Sequence, residues 1–259
     1  MKDFESTKTR CLTNAEEVSR YQYLPLRAPD IIRIAVLRRG GQFEFIHCSL
    51  EQRRIHEYKY EALSYEWNQP LPDDPEIFID GIRTTIRRNL YDALGRSRLE
   101  DEDRSLWIDA LCINQQDTVE RSHQVHMMRD IYKGATNVLA YLGHTGNKEA
   151  SAAWQLLNGV GFFTTEADRR EEIVDLLTPF NNSIKLEFIP RVLSLPYWRR
   201  AWIQQELILA QEFTVYCDGQ QLPGRVFESL IAVFAHKDDT ETVLETLTTR
   251  GCASIIATP

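Results

Sequence analysis

Short apolar runs alternate with an amphipathic helical pattern in the middle of the chain, and this alternation limits the possible folds more than any other feature. The segments Ser105–Asp109 (SLWID) and Asn137–Leu142 (NVLAYL) have the length and composition of buried strands. Between them, Val119–Tyr132 repeats its apolar residues at helical spacing before Gly134, a residue suited to ending a helix. A strand, a helix and a second strand in this order predict a parallel sheet with helices on its faces.

Two β-hairpins are predicted on the N-terminal side of this unit, and a short strand, Tyr60–Tyr65, lies between them. Gly40-Gly41 and Asp80-Gly81 mark their turns, because glycine readily adopts the positive φ that a tight hairpin turn needs. The predicted hairpin strands are Ile31–Leu37 with Phe43–Leu50, and Glu76–Ile79 with Ile82–Thr85.

The rest of the chain extends the pattern and suggests three regions. The prediction is a mostly parallel α/β sheet with helices on both faces and a helical insertion at about residues 147–194. Residues 1–58 are interpreted as a lead-in with a hairpin, 59–217 as the main domain, and 218–259 as a helical extension. The further predicted elements are the helices Asn89–Arg98, Tyr197–Gln211 and Arg225–Ala235 and the strand Phe213–Cys217.

Composition excludes several classes of protein. The chain of 259 residues has 38 acidic and 30 basic side chains and a net charge of -8, which argues against nucleic acid as a main partner. No apolar run approaches the roughly 20 residues of a membrane span, and the first residues lack the apolar core of a signal peptide. Five scattered cysteines without a CxxC pair fit reduced thiols, so we expect a cytoplasmic protein.

Polar residues follow the predicted strands at the positions where open parallel sheets bind ligands. Ser64, Tyr65 and Trp67 stand at the end of one strand, and Asp109 stands at the end of another. Asp109 could cap the segment that follows it, hold the loop or act chemically, and capping is the preferred interpretation.

The predicted helix Tyr197–Gln211 is the most informative segment. At about 100° per residue, Trp198, Trp202 and Gln205 share one face, and Glu206 lies beside that face. Desolvation would raise the pKa of Glu206 unless a cation such as Arg200 offsets it, and a carboxylate beside aromatic rings can stabilise an oxocarbenium ion. The alternative is that both tryptophans are core residues and that Glu206 forms a structural ion pair.

Other site types have weaker support. His123 and His126 share a helical face, but no further histidine or cysteine cluster completes a zinc site, and Cys112 has no evident histidine partner. A G-x-G-x-x-G or P-loop sequence is absent. Neither a metal nor a resident cofactor is therefore expected.

Three segments together resemble a known family. The segments YEALSYEW (Tyr60–Trp67), LWIDALCINQ (Leu106–Gln115) and WRRAWIQQE (Trp198–Glu206) are similar to the three motif blocks of the fungal heterokaryon incompatibility (HET) domain. The stretch Val125–Gly143 fits the same family, whereas Asn68 stands where its first block usually has glycine. The resemblance implies a role in fungal non-self recognition that ends in regulated cell death.

A second similarity concerns TIR domains. Leu63-Ser64-Tyr65 is similar to their first box, and Trp202–Leu207 is similar to their W-C-x-x-E-L pattern, with Ile203 in place of the cysteine. This similarity implies a TIR-like, flavodoxin-like fold and makes Glu206 the counterpart of a glutamate that cleaves NAD.

The resemblance leads to two hypotheses. In the first, Glu206 is catalytic in hydrolysis of the nicotinamide glycosidic bond of NAD, and the substrate contacts are Trp198, Trp202, Arg200, Gln205, Asp109, Ser64, Tyr65 and Trp67. NAD is then a substrate and not a cofactor. In the second, the domain is a non-catalytic module that self-associates and signals through a partner or receptor protein.

Overall fold

A computed structural model describes residues 21–41, 44–146, 189–200 and 202–228, together with Lys148 and Trp154. Within these residues, nine strands form one mixed sheet in the order β5-β4-β2-β1-β6-β3-β7-β8-β9. The strands are β1 Ile31–Leu37, β2 His47–Arg54, β3 Glu61–Tyr65, β4 Glu76–Ile79, β5 Ile82–Thr85, β6 Arg104–Trp107, β7 Val138–Gly143, β8 Phe213–Cys217 and β9 Gln220–Pro223. The helices are α1 Arg88–Ser97, α2 Asp109–Cys112, α3 Thr118–Gly134 and α4 Ile189–Leu193.

The centre of the sheet is parallel and lies deepest in the molecule. β3 pairs with β6 on one side and with β7 on the other, and β7 pairs in turn with β8, all in parallel. Residues 138–142 of β7 are all buried, as expected for a strand covered on both faces. α1 packs on β3 and β7, whereas α3 reaches β6 through an edge-to-face contact of Tyr132 with Trp107.

The strand–helix–strand prediction is confirmed, and the helix is longer than predicted by a residue or two at each end. α3 begins after Asp117, whose side chain accepts hydrogen bonds from the backbone N–H groups of Val119 and Glu120. Capping of this kind satisfies donors that would otherwise have no partner at the first turn of a helix.

Both hairpins form, and they belong to the same sheet as the parallel strands. Of the eight strand pairings in the described residues, four are parallel and four antiparallel, so the prediction of a mostly parallel sheet is confirmed only for the central strands. Asp80 and Gly81 both have positive φ, as the turn between β4 and β5 requires.

The first hairpin differs from its prediction at the second strand, which spans His47–Arg54 and does not include residues 44–46. The guanidinium of Arg98 explains the difference, because it binds the connecting loop through backbone carbonyl oxygens that a strand would use for its own pairing. These oxygens belong to Arg38, Arg39, Gly41, Glu44 and Phe45.

Most of the predicted insertion at about 147–194 and most of the C-terminal extension lie outside the described residues. Where the C-terminal side is described, β9 pairs antiparallel with β8 after a turn at Asp218 and Gly219, and residues 224–228 are helical. In the described part of the chain, no helix has the length and apolarity needed to cross a bilayer.

Candidate functional site

Two parallel strands deliver the first site residues to one edge of the sheet. Ser64 lies near the carboxyl end of β3, and Asp109 follows the carboxyl end of β6 as the first residue of α2. Asp109 therefore stands inside α2 and does not cap it, since the capping position belongs to Ile108. Both residues lie where an open α/β sheet presents its ligand-binding groups.

The segment that supplies Glu206 is not the continuous helix predicted over Tyr197–Gln211. A 3-10 helix spans Pro196–Arg199, Arg200 is extended with φ -77° and ψ 132°, and a π-helical turn spans Gln204–Ile208. In a regular helix, residues six apart are about 9 Å apart along the axis and on different faces. The break at Arg200 removes this obstacle and allows its guanidinium to reach Glu206.

The break also separates the two tryptophans that the helical prediction placed on one face. Trp198 is buried, donates from Nε1 to the carbonyl oxygen of Val192 at 2.9 Å and stacks on Phe227 at 5.8 Å. Trp202 is 45% exposed. The predicted tryptophan-lined face beside Glu206 is therefore wrong, because Trp198 is a core residue and Trp202 faces solvent.

Glu206 is the centre of a buried hydrogen-bonded cluster. Arg200 donates from Nη2 to Oε1 at 2.8 Å and from Nη1 to Oε2 at 2.9 Å, which gives a bidentate ion pair. The Ser64 hydroxyl donates to Oε2 and accepts from Arg200 Nη1 at 3.2 Å. The Tyr197 hydroxyl lies 2.6 Å from Ser64 Oγ, and we call these four residues the Glu206 cluster.

The charges of the cluster support one another. Burial is the largest influence and lowers the pKa of Arg200, but the interactions with Glu206, Tyr197 and Tyr132 together raise the pKa above its ordinary value, so the guanidinium stays charged. Burial, followed by the charge of Glu206, raises the pKa of the Tyr197 hydroxyl. Tyr197 therefore remains a neutral donor, and its ring lies 5.5 Å from the Arg200 guanidinium carbon.

Asp109 is a second carboxyl group at the same edge of the sheet. Its Oδ1 accepts from the backbone N–H of Ala110 at 2.7 Å and from Trp67 Nε1 at 3.2 Å. Burial and then the charge of Glu206 raise the pKa of Asp109 to about 7. Two carboxyl groups are thus arranged so that one is held by a cation and the other titrates near neutrality, a pattern typical of acid–base sites.

Glu206 has no exposed surface, although a catalytic role requires that substrate reach its carboxylate. Trp67, which is 47% exposed, links Asp109 to the surface through its hydrogen bond. A cavity of about 240 Å³ opens at the ends of β3 and β7. A larger one, of about 740 Å³, lies at the loop after β1, away from these strand ends.

The structure thus unites some of the predicted site residues and separates others. Ser64, Arg200 and Glu206 are in contact, Trp67 contacts Asp109, and Tyr65 is buried at the end of β3. The Gln205 side chain lies outside the described residues.

The sequence analysis did not identify Tyr197 as a site residue. Its position next to Trp198, in a segment interpreted as regular helix, gave no signal that its hydroxyl would reach Ser64.

Metal chemistry has no visible site in the described ranges, where no group of three or more histidine, cysteine, aspartate or glutamate side chains could hold an ion. His123 Nε2 lies 2.8 Å from the carbonyl oxygen of Pro29, and His126 Nδ1 lies 2.6 Å from that of Ser122. Both imidazoles are therefore engaged with the backbone.

Comparisons with known proteins agree on one family. The family described as "Heterokaryon incompatibility protein (HET)" matches residues 60–206, more than half of the chain. "Heterokaryon incompatibility protein 6, OR allele" of Neurospora crassa is 28% identical over an alignment of 212 positions that covers 68% of this chain and 31% of that protein. The chain thus spans about a third of the length of this curated relative. No solved structure matches.

Proposed function

The chain belongs to the heterokaryon incompatibility (HET) family, and from this we propose that it is an effector domain that drives cell death in fungal non-self recognition. We further propose that it hydrolyses the nicotinamide glycosidic bond of NAD at the Glu206 cluster. The observation behind the second proposal is the pair of unlike carboxyl groups, Glu206 and Asp109, at the carboxyl edge of the parallel strands.

The strand order supports a TIR-like, flavodoxin-like fold. In chain order, β3, β6, β7 and β8 are the first to fourth parallel strands of the centre, and in space they read 2-1-3-4. This is the beginning of the flavodoxin-like order, in which ligands bind at the carboxyl ends near the first and third strands. In this chain those strands are β3 and β7.

In the proposed reaction, the bond between the ribose carbon and the nicotinamide nitrogen breaks and water adds to the ribose. Glu206 stabilises the positive charge that develops on the ribose ring. Asp109, whose pKa is near 7, is suited to take the proton of the attacking water. Ser64 and Trp67 position the two carboxyl groups through their hydrogen bonds.

The described conformation is the closed form in this scheme, because both oxygens of Glu206 are bound by Arg200 and Ser64. A dinucleotide offers the phosphates that Arg200 would bind instead, and guanidinium groups bind phosphate as well as carboxylate. We propose that self-association of the domain produces an open form, in which Arg200 has released Glu206 and substrate can bind. Activity then depends on assembly.

The rival function is a non-catalytic signalling module, and the burial of Glu206 favours it. A carboxylate with no exposed surface and with both oxygens bound is fully explained as a structural ion pair. In this case the domain triggers death by recruiting a partner protein, and the Glu206 cluster only holds the π-helical turn against β3.

Nicotinamide release from NAD by the assembled protein distinguishes the two functions. The matched control is Glu120→Gln, because Glu120 forms a bidentate pair with Arg33 and both side chains are largely buried. The enzymatic proposal expects release by wild type and Glu120→Gln and none by Glu206→Gln at equal folded fraction. No release by assembled wild type, or equal release by both variants, refutes it.

Toxicity in a fungal host, with cellular NAD measured in parallel, tests the same question in the cell. The enzymatic proposal expects NAD to fall before growth stops and expects Glu206→Gln to remove both effects while Glu120→Gln keeps them. The signalling module expects death without loss of NAD, and toxicity that follows folded stability equally in the two variants.

A further inference from the structure

The cavity at the ends of β3 and β7 has the features of a binding site distinct from the Glu206 cluster. Its volume is about 240 Å³, the space of roughly eight water molecules at about 30 Å³ each. Glu66 and Asn68 line it from the loop after β3, and Gly143 and His144 line it from the end of β7. The first turns of α1 form another wall.

The topology of the sheet places this cavity between two diverging connections. From β3 the chain passes through β4, β5 and α1 to β6, on one side of β3. From β7 it proceeds to β8, on the other side. Such a divergence leaves a crevice outside the carboxyl ends of the two strands, which is where ligands bind in open α/β sheets.

Three hydrogen-bond acceptors of this cavity have no partner in the described structure, and they lie beside the guanidinium of Arg88 and the imidazole of His144. One of the three is Asn89 Oδ1, which is buried. In the described structure, the carboxylates of Glu66 and Asp92 form no hydrogen bond or ion pair, and both side chains line the cavity. A ligand that satisfies these three acceptors must therefore bring O–H or N–H donors.

The size of the cavity and its unpartnered acceptor groups indicate the chemical class of the ligand. The described residues contain no cluster suited to a metal ion, so the acceptors do not form a cation site. Adjacent hydroxyl groups on a sugar present two donors to one carboxylate, and acidic residues at strand ends bind ribose hydroxyls in this way. The five-membered furanose ring of a pentose is also of the size that the cavity can hold. We propose that the cavity binds a furanose ring with free vicinal hydroxyls, with Asp92, Glu66 and Asn89 as the acceptors.

The cavity shares its two supporting segments with the Glu206 cluster. Glu66 follows Ser64 by two residues, and Pro196, which lines the cavity, precedes Tyr197 of the cluster. A ligand in the cavity would thus contact both segments that position Glu206. Identification of the furanose with a ribose of NAD rests on the proposed function, whereas binding of the ring itself does not.

Calorimetric titration with ADP-ribose, which retains the ribose rings but has no nicotinamide bond to cleave, tests the site without relying on catalysis. We expect ADP-ribose to bind wild type, Asp92→Asn and Glu66→Gln each to weaken binding about 10-fold or more, and an analogue lacking the 2′ and 3′ hydroxyls on both rings to bind no better than pyrophosphate. The loss follows from the strength of hydrogen bonds to a charged acceptor, about 1.5–3 kcal/mol, or roughly 10- to 100-fold. Asp130→Asn, an exposed position on α3, is the matched control and should bind like wild type.

Absence of ADP-ribose binding, equal binding of the deoxygenated analogue, or equal affinity of Asp92→Asn and Asp130→Asn overturns the inference. Nicotinamide release in the same preparations separates this result from the fate of the proposed function. Binding that depends on Asp92 without any release keeps the sugar site and refutes NAD cleavage. Release without Asp92-dependent binding keeps the cleavage and refutes the sugar site.

Discussion

Replacement of Glu206 by glutamine tests whether the closed cluster exists in solution. Glutamine has nearly the same shape, but one of the two carboxylate oxygens becomes an NH₂ group that faces the Arg200 guanidinium. Arg200 then keeps its charge in a site where its side chain is only 15% exposed. Arg200 loses the carboxylate that stabilised its charge, and the Ser64 hydroxyl loses its charged acceptor.

The expected cost is about 3 kcal/mol of unfolding free energy. Removal of one partner of a buried ion pair costs about 3–5 kcal/mol, and the lower end applies because Arg200 retains some water contact and the ring of Tyr197. For a domain of this size, this corresponds to a fall in melting temperature of roughly 6–12 °C.

Urea unfolding followed by tryptophan fluorescence measures the change, with Glu120→Gln as the comparison at the other buried pair. A double variant, Arg200→Met with Glu206→Leu, should recover most of the loss, because apolar residues of similar size replace buried ion pairs at little cost. Recovery of stability without recovery of nicotinamide release would assign the Arg200–Glu206 pair a role in the chemistry as well as in the fold.

A loss below about 1 kcal/mol in Glu206→Gln would contradict this reasoning, since exposed ion pairs contribute only that much. It would mean that Arg200 and Glu206 are open to water in the resting protein. A double variant that is no more stable than the single one would show that the cost arises from packing around Glu206 and not from the orphaned cation.

Three further predictions concern other positions. Because the pKa of Asp109 is raised from 3.8 to about 7, the folded protein retains a proton that the unfolded chain releases above about pH 4, and stability falls as pH rises through this window. Asp109→Asn should therefore match wild type near pH 4 and exceed it in unfolding free energy at pH 8, and a constant difference at both pH values would contradict the shift. Gly224→Ala would place a Cβ 2.3 Å from the ring of the buried Phe213, so we expect a loss of about 1–3 kcal/mol in urea titrations, and an unchanged midpoint would refute the close contact. Gly81→Ala should cost about 1–2 kcal/mol through its φ of 80° alone, because its Cβ would meet nothing within 4 Å, whereas a neutral result would show that the turn between β4 and β5 relaxes.

The fold could be predicted from sequence where local chemistry and the global arrangement agree. The turn at Asp80 and Gly81 and the helix predicted over Val119–Tyr132 are set by neighbouring residues; the turn appears as predicted, and the helix is longer by a residue or two at each end. The start of β2 could not be predicted, because Arg98, far along the chain, binds the carbonyl oxygens of the preceding loop. Sequence periodicity carries no information about such a distant competitor for backbone groups.

The site shows the same division. The sequence predicted Ser64, Arg200 and Glu206 as site residues, and the structure places them in contact. The helical prediction failed at Arg200, where the backbone is extended and the guanidinium forms a bidentate ion pair with Glu206 that sequence periodicity cannot predict. The alternative interpretation from the sequence is confirmed for the buried Trp198 and for the ion pair of Glu206, and it is wrong for Trp202, which is 45% exposed.

The position of β3 between β6 and β7 has a consequence for how the protein acquires its shape. The hairpins β1–β2 and β4–β5 join nearby residues and can form within microseconds, whereas β3 must wait for partners that lie much later in the chain. During synthesis, Ser64 leaves the ribosome long before Arg200 and Glu206 do. The nascent chain thus carries only Ser64 of the four cluster residues until Tyr197, Arg200 and Glu206 have been synthesised, so the cluster cannot form before then.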